Sequence, residues 1–533
     1  MKKDGEMPSA SQNDGIDYVP TNRSILFGHH FSSVAGAAPI LGPAIAIIWG
    51  WLPALIWIVF GSIFIGAVHD FGALFLSALF DGKSIGSITG DILGRNARLL
   101  FLIIIFILVF IVIAVFAYII ATLFVLYPGS VIPINFEIIV AIIIGRLVVN
   151  QKISLIIPSI LALIGLYIMI YVGHIFPVSI PAAYALMGSP VLTWVMFLMI
   201  YGFIAAVLPV TVLLQPRDLI NAHQLVLGLI LIYIGMFLAQ PIIVAPVVNF
   251  QENDVSWFPY LFITIACGAV SGFHALVASG TTSKQLKSIK DARTIGYGAM
   301  MGEATLAIAA TLAVASGFDR TDQWLAHYNS FEGAQGLTSK LSAFVGGTAT
   351  FINPIFHLFN IDHSLSNALS VVFISVLVIS FAATSLDTAV RIQRYVVGEI
   401  AISMKIKFIE NRFVATFIAV MFSVMLVLSD DSGSGGIILW PLFGTTNQLL
   451  GALTLMVISI WLYLKKRNYW VSLIPLILLL FLVSVASIFN MIMYFQSENW
   501  LLFAVDIVII SCYLWLLSEG LMFLITKKGS SDP

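Results

Sequence analysis

The sequence predicts an all-α polytopic membrane protein with about 14 transmembrane helices. Apolar residues make up 60% of the 533 residues and charged residues only 10%, whereas a soluble domain averages roughly 45–50% apolar and about 25% charged. The apolar stretches are continuous rather than alternating, which favours helices over a membrane barrel. In addition, 23 of the 25 Lys and Arg residues occupy alternate gaps between the apolar runs, as expected for a chain that crosses a bilayer repeatedly.

The individual spans follow from run length, because a hydrocarbon core of about 30 Å requires about 20 helical residues. The predicted spans are 28–50, 54–80, 99–127, 136–150, 153–175, 191–214, 224–249, 258–282, 294–317, 364–390, 413–429, 437–464, 470–495 and 501–526. The stretch 341–361 is also apolar, but Asn353, Pro354 and His357 interrupt it. We therefore expect this stretch to be re-entrant or interfacial.

The basic residues predict the orientation of the spans. The gaps that contain the 23 basic residues face the cytoplasm by the positive-inside rule, and the opposite gaps contain only Arg320 and Lys340. Both termini are then cytoplasmic. The predicted organisation is a cytoplasmic N-terminal segment at 1–27, a transmembrane domain at 28–526 and a cytoplasmic tail at 527–533.

The first span is unusual because Gly36, Pro39 and Gly42 interrupt its apolar run. Proline and glycine break the ladder of backbone hydrogen bonds within a helix, and the freed backbone groups need other partners. Helices broken near mid-membrane are the usual construction of the binding site in a secondary transporter. The alternative is a proline-kinked helix whose glycines allow close packing.

The eighth span has a similar composition, with Gly268, Ser271, Gly272 and His274 in one run. The glycine spacing also fits a helix-packing motif. The two interrupted spans could be equivalent helices of an inverted repeat. Near the start of the twelfth span, prolyl and glycyl residues precede Asn447, whose side chain can hydrogen-bond loosened backbone. The predicted substrate-binding residues are Gly36, Pro39, Gly42, Gly268, Ser271, Gly272, His274 and Asn447.

Isolated acids inside the apolar runs are candidates for proton coupling. A charge at the centre of a membrane helix costs roughly 2.5–3.5 kcal/mol on insertion scales, so such groups usually face a cavity or a partner. We predict that Asp70, Glu303 and Asp387 carry the proton. Asp387 has a structural alternative, because Arg391 lies four residues further on and can pair with it on one helix face. Asp506 and Glu519 are expected to lie at the membrane interface.

A polar motif ends the sixth span on the predicted cytoplasmic side. Arg217 and Asp218 follow Pro216 in the sequence QPRD. A basic and an acidic residue beside a proline-terminated helix indicate either a gate pair or a stabilised loop. We predict that Arg217 and Asp218 form a gate.

Several long motifs in this chain carry a resemblance to a known family. They are NDGIDYVPTN (13–22), FGHHFSSVAGAAPILGP (27–43), GAVHDF (66–71), DGKSIG (81–86), QPRD (215–218), FITIACGAVSGFHALVASGTT (262–282) and WPLFGTTNQLLG (440–451). From about residue 12 to about residue 465 the chain resembles the carbon starvation protein A family. The resemblance implies a bacterial plasma-membrane transporter, grouped loosely with amino-acid/cation transporters, that takes up peptides under carbon starvation or pyruvate together with protons.

The residues and the resemblance together predict a secondary transporter for small carboxylates or short peptides, coupled to protons or sodium. The substrate carboxylate is expected to dock on helix N–H groups near 36–42 and 268–272. No GxxxxGK[ST] loop is present, so ATP is not the direct driver. We expect no cofactor, no catalytic residues and, at a net charge of −1, no nucleic-acid partner.

Two other functions compete with transport. A nutrient sensor without transport activity would need a signalling partner. An intramembrane metalloenzyme would use His29, His30, His69 and Asp70. Against the metalloenzyme, the sequence lacks an HExxH motif, and adjacent histidines do not share a helix face.

Overall fold

The computed structural model describes residues 6–151, 154–250, 255–331 and 336–529, and the elements that form the fold are helices. In the first half of the chain they are α1 (Pro8–Ser11), α2 (Arg23–Val34), α3 (Ala38–Ala46), α4 (Trp51–Gly61), α5 (Ala67–Leu79), α6 (Ile85–Leu93), α7 (Arg95–Leu126), α8 (Val131–Gln151), α9 (Ile156–Ile175), α10 (Pro190–Val207) and α11 (Leu214–Ala239). In the second half they are α12 (Trp257–Thr264), α13 (Gly272–Val277), α14 (Ser283–Gln285), α15 (Ala292–Ser316), α16 (Thr321–His327), α17 (Leu337–His357), α18 (His363–Met404), α19 (Arg412–Val427), α20 (Gly435–Ile438), α21 (Trp440–Leu464), α22 (Trp470–Gln496) and α23 (Trp500–Gly529).

The helices account for all 14 predicted apolar runs, but not as 14 continuous spans. Within the described residues, 11 helices are long and apolar enough to cross a membrane, and one bent pair raises the number to 12. The run at 413–429 forms the shorter apolar helix α19. The run at 258–282 is divided between α12 and α13. The expected number of 14 is therefore not confirmed.

The first predicted break lies between α2 and α3, which meet at an angle of 43°. α2 ends at Val34, and α3 restarts at Ala38 with Pro39 in its first turn, where proline is tolerated because the N–H has no partner in the helix. Gly36 lies between the two helices, and a Cβ atom there would be 2.6 Å from Ser385 Oγ. A larger residue at this position would require the Ser385 side chain to move, so glycine favours the close turn against α18.

The second predicted break, between α12 and α13, faces the first. A Cβ atom on Gly42 would be 2.6 Å from Thr264 O, at the end of α12. The two broken helices run in opposite directions, because the backbone N–H of Thr21 donates to Gln285 O at 3.0 Å while Trp49 Nε1 donates to Val255 O at 3.1 Å. An inverted repeat requires such an antiparallel pair.

The stretch predicted as re-entrant forms a single helix, α17, that includes Pro354. Phe344 and Phe351 are fully buried, and α17 packs against α11, α15 and α18. Gly235 of α11 permits this approach, since a Cβ atom there would be 2.1 Å from Phe351 O. The apolar side chains that suggested a membrane segment therefore serve the contact between helices.

The N-terminal segment closes one end of the helix assembly. Ser9 Oγ donates to Leu286 O at 2.8 Å, and the Val210 N–H donates to Ile16 O at 2.9 Å. α2 begins at Arg23, five residues before the predicted start of the first span. Residues 1–5 and 530–533, at the ends of the predicted N-terminal segment and C-terminal tail, lie outside the described residues.

Candidate functional site

Three candidate residues from separate helices meet in one buried cluster, which we call the His274 cluster (His69, Asp70, His274 and Glu303). His274 Nδ1 lies 2.8 Å from Asp70 Oδ2 and His274 Nε2 lies 3.1 Å from Glu303 Oε2. His69 Nδ1 lies 2.7 Å from Asp70 Oδ1. All four side chains are 0% exposed. The cluster contains two carboxyl groups bridged by one imidazole, and a bound proton would offset part of their charge.

Local sequence features position these side chains. α4 and α5 are joined by the π-helical turn Ser62–Gly66, three residues before His69, and such turns are frequent at functional sites. Gly296 allows α15 to approach α5, since a Cβ atom there would be 2.9 Å from Phe71 Cα. Both carboxylate oxygens of Glu303 lack an aligned hydrogen-bond donor among the described residues. The Glu303 carboxyl group can therefore accept a proton without breaking a hydrogen bond.

The predicted gate residue Arg217 belongs to a second buried cluster, which we call the Arg217 cluster (Glu137, Tyr201, Arg217 and Asp387). Arg217 Nε lies 3.0 Å from Glu137 Oε1, and Arg217 Nη1 lies 2.5 Å from Asp387 Oδ2. Tyr201 donates to Asp387 at 2.6 Å and accepts from Arg217. One guanidinium thus faces two carboxyl groups, so a second positive charge or a proton is needed for neutrality.

The expected pair between Asp387 and Arg391 is absent from the described contacts, so that alternative was wrong. Asp387 pairs with Arg217, 170 residues away in sequence. Arg391 Nη2 instead donates to the carbonyl oxygens of Ala205 and Leu208, at 2.8 and 2.6 Å. The two residues are on the same helix, but each has a partner on another element.

Arg391 and Arg394 also hold the N-terminal segment through Asp17. Arg391 Nη1 lies 2.6 Å from Asp17 Oδ1, and Arg394 Nη2 lies 2.7 Å from Asp17 Oδ2. Burial by itself would raise the pKa of the Asp17 carboxyl group, but the two guanidinium groups bring it well below its usual range. Asp17 therefore remains ionised at neutral pH and fastens the segment to α18.

Two adjacent histidines lie between the clusters. His29 Nδ1 contacts Asp218, the second predicted gate residue, while His29 Nε2 lies 3.0 Å from Thr281 Oγ1. His30 Nδ1 lies 2.9 Å from Thr282 Oγ1. Asp218 and both histidines are 0% exposed. The three side chains are therefore shielded from solvent, and their contacts join α2 to α11 and to the turn that follows α13.

A cavity of about 80 Å³ lies where the two broken helices face α21 and α22. A buried water needs roughly 10–15 Å³ of such space, so the cavity can hold several waters or a small solute. Of the predicted substrate-binding residues, only Gly42 lines it, whereas Ala38, Thr264 and Cys267 line it without having been predicted. These three residues flank the two breaks, so the sequence could have identified them by their position next to the interrupting residues.

The other predicted substrate residues are engaged within the protein. A Cβ atom on Gly268 would be 2.8 Å from Ala307 Cβ, and one on Gly272 would be 2.3 Å from Asn447 O. Asn447 Oδ1 accepts from the Phe273 N–H at 2.9 Å, so Asn447 caps α13. Pro39 begins α3. The packing explanation holds for the glycines, and the N-terminus of α13 is already occupied by an amide.

Polar side chains of α21 and of the segment before α13 contact one another beside the cavity. Asn447 Nδ2 donates to Ser271 Oγ at 3.0 Å, and Cys267 Sγ lies 3.4 Å from Ser271 Oγ. Cys267, on the cavity wall, lies close enough to Glu303 and Asp70 to interact with their charges. A solute in the cavity would therefore be near the buried carboxyl groups.

Comparison with known proteins identifies the family of this chain. The family described as "Carbon starvation protein CstA" matches residues 1–486. The chain belongs to this family. It is 31% identical to "Peptide transporter CstA" of Campylobacter jejuni, covering 90% of this chain and 74% of the relative. It is 32% identical to "Peptide transporter CstA" of Escherichia coli, with 88% and 74% covered. It is 30% identical to the E. coli "Pyruvate/proton symporter BtsT", with 89% and 75% covered.

The family and the helices establish a multi-pass membrane transporter of the carbon starvation family rather than an enzyme. Solved structures show weaker similarity. A manganese transporter of Eremococcus coleocola in complex with an aromatic bis-isothiourea substituted compound gives a TM-score of 0.45 at 14% identity, with 96% of this chain and 99% of that chain covered. MhsT in complex with L-phenylalanine gives 0.46 at 15% identity, with 88% and 99% covered. Similarity at this level does not establish a common fold.

Proposed function

We propose that the protein imports a small carboxylate-bearing solute, pyruvate or a short peptide, together with protons. The observation that carries this proposal is the fully buried bridge Asp70–His274–Glu303 beneath a cavity at two broken helices. Relatives in the family are named peptide transporters and a pyruvate/proton symporter, which supports the two substrate classes and the coupling ion.

The cavity receives the solute in this mechanism. Its wall includes Ala38, where α3 begins. Pro39 has no N–H, and the Ile40 and Leu41 N–H groups donate to Ala37 O, so the attraction for a carboxylate comes mainly from the positive end of the helix dipole. Gly42 allows α3 and α12 to approach closely at this wall, because a Cβ atom there would clash with the Thr264 carbonyl group.

The His274 cluster binds the proton that accompanies the solute. Asp70 and Glu303 contribute two carboxyl groups, and the His274 imidazole between them can neutralise only part of their charge. Without solvent, an unbalanced charge is costly. Proton uptake by this cluster lowers that cost and is favoured when the cavity holds an anion. The hydroxyl and imidazole groups of Thr281, Thr282, His29 and His30 then offer a route toward Asp218 and the Arg217 cluster.

Release requires the opposite end of the assembly to open. Gln215 Nε2 donates to Thr21 Oγ1 at 2.8 Å and to Gln285 Oε1 at 2.7 Å, which joins the N-terminal segment to α11 and α14. Together with the two arginines on Asp17, these bonds form an inner gate. Arg217 and Asp218 act just above it as the predicted gate pair.

The proposed location is the bacterial plasma membrane, with both termini and the inner gate in the cytoplasm. The positive-inside rule supports this orientation, because the basic gaps of the sequence lie on one side of the predicted spans. Residues 28–526 would form the transmembrane domain, with the N-terminal segment and the short C-terminal tail on the cytoplasmic side.

Uptake into proteoliposomes tests the proposal. Purified protein is offered labelled pyruvate, a dipeptide or a tripeptide with either a pH gradient or a sodium gradient. We expect accumulation of at least one solute under the pH gradient and collapse of that accumulation when a protonophore is added. Accumulation that requires sodium alone would refute proton coupling, and equilibration without accumulation of any solute would refute secondary active transport.

A further inference from the structure

The outer wall of the cavity carries polar groups that the proposed mechanism does not use. Tyr260 donates its hydroxyl hydrogen to Asn490 Oδ1 at 2.8 Å. Asn490 and Tyr494 lie four residues apart on α22, so they share one helix face, and both line the cavity together with Tyr260. Three polar side chains from two helices thus face the same space.

Several atoms of this wall have no protein partner although water is excluded from them. Asn490 Nδ2, Tyr494 Oη and Asp506 Oδ2 find no hydrogen-bond partner among the described residues, while the three side chains are 2%, 3% and 1% exposed. A buried polar group left without a partner costs free energy. Such groups beside a cavity point to a ligand that completes their hydrogen bonds.

Asp506 gives this wall its charge. The residue lies on α23, which packs against α22, and its carboxyl group is close enough to the Tyr260 and Tyr494 hydroxyl groups to act on both electrostatically. The Asp506 side chain is buried among the helices, whereas its depth in the membrane stays a prediction. When it is ionised, the Asp506 carboxyl group favours a cation nearby and disfavours an anion.

Aromatic side chains also line the cavity. Trp440 and Phe443 are stacked with ring centroids 4.6 Å apart, and both line the cavity with Phe331 and Met493. Aromatic faces attract ammonium groups. Tyrosine oxygen and asparagine oxygen each have a lone pair available to accept from an N–H donor. The partnerless Asn490 Nδ2 is itself a donor, so it would need an acceptor oxygen of the same ligand rather than the ammonium group.

We propose that this end of the cavity is an ammonium-binding subsite formed by Tyr260, Asn490 and Tyr494, with Asp506 as the counter-charge. This inference rests on the proposed transport function. The substrate would be zwitterionic, an amino acid or a short peptide, with its ammonium group at the subsite and its carboxylate toward the start of α3. Asn490, Tyr494 and Asp506 lie beyond residue 486, where the family match ends, so the family assignment does not include them.

Equilibrium binding to the purified full-length protein tests the subsite separately from transport. The probes are glycylglycine, N-acetyl-glycylglycine, which lacks the ammonium group, and pyruvate. We expect wild-type protein to bind glycylglycine at least about tenfold more tightly than either other probe, as for the loss of one partner of a desolvated charge pair. Equal binding of glycylglycine and its N-acetyl form, or tighter binding of pyruvate, would overturn the proposal.

Variants assign the effect to the subsite. Asp506→Asn should weaken glycylglycine binding at least about tenfold and leave pyruvate binding unchanged or stronger. Tyr494→Phe, which keeps the ring, should act in the same direction and serves as the test if Asp506→Asn fails to fold. Glu519→Gln is the matched control, because Glu519 lies on the same helix and its carboxyl group contacts Trp515 Nε1 at 3.2 Å.

The outcomes separate the two proposals. If both variants bind all three probes more weakly by the same factor, the subsite proposal is overturned and the transport proposal is not. Discrimination by the ammonium group, combined with no accumulation under any gradient, would uphold the subsite and refute active transport.

Discussion

Gly272→Ala is the smallest change that should disturb the candidate site. A Cβ atom at this position would lie 2.3 Å from Asn447 O and 2.6 Å from Gly451 N. Ordinary van der Waals contact of a Cβ atom begins at 3.4 Å, so α13 and α21 must separate by about 1 Å. Overpacking of this kind costs about 1–3 kcal/mol. His274, two residues further along α13, would move away from its partners.

Two measurements follow for this variant. We expect a lower midpoint of thermal unfolding in detergent and a fall in proton-driven uptake of at least about tenfold, because small misplacements at a site are costly. Gly272→Leu should block uptake while the protein still inserts into the membrane. Gly398→Ala is the control, since no atom lies within 4 Å of a Cβ atom there. Wild-type stability and uptake for Gly272→Ala would refute the close contact between α13 and α21.

Three further changes probe the buried charges and the inner gate. Asp70→Asn or Glu303→Gln should abolish proton-driven accumulation yet retain some counterflow, and normal accumulation by both would show that neither carries the proton. Arg217→Gln should lower the free energy of unfolding by about 3–5 kcal/mol because two carboxyl groups lose their partner, whereas the exposed Arg320→Gln should cost about 0–1 kcal/mol; equal effects in denaturant melts would count against the cluster. Asp17→Asn should expose the N-terminal segment to limited proteolysis at neutral pH. Since the pKa of Asp17 is depressed below 3.8, its contribution in wild type is complete above that value and is lost only as pH falls through the folded pKa, so a loss of protection between pH 8 and 5 would contradict this role.

The apolar runs and their interruptions predicted the positions of the apolar helices and the breaks in the first and eighth runs, but not the continuous helix Leu337–His357. Gly36 and Pro39 mark the first break, because their backbone chemistry acts locally. An acid in an apolar run is also visible in the sequence, which explains why Asp70 and Glu303 were found. Glu137 carries the same signature near the start of the fourth run and was overlooked.

Contacts between distant helices could not be predicted in this way. Arg391, four residues further on, was considered as an alternative partner for Asp387, but the rotation of α18 turns Asp387 toward Arg217. The sequence also cannot show whether the space beside a glycine is empty, and at Gly268 and Gly272 another helix fills it. The substrate-binding roles of the predicted residues stay predictions, with Gly42 alone on the cavity wall.

The crossing of the two broken helices has a mechanical consequence. Gly42 rests against the Thr264 carbonyl group, and Gly66 of the neighbouring turn would place a Cβ atom 2.3 Å from Ala269 O. Backbones in such close contact cannot slide past one another without a steric clash. A tilt of the two helices about this contact would separate their ends at one membrane face and bring their ends together at the other.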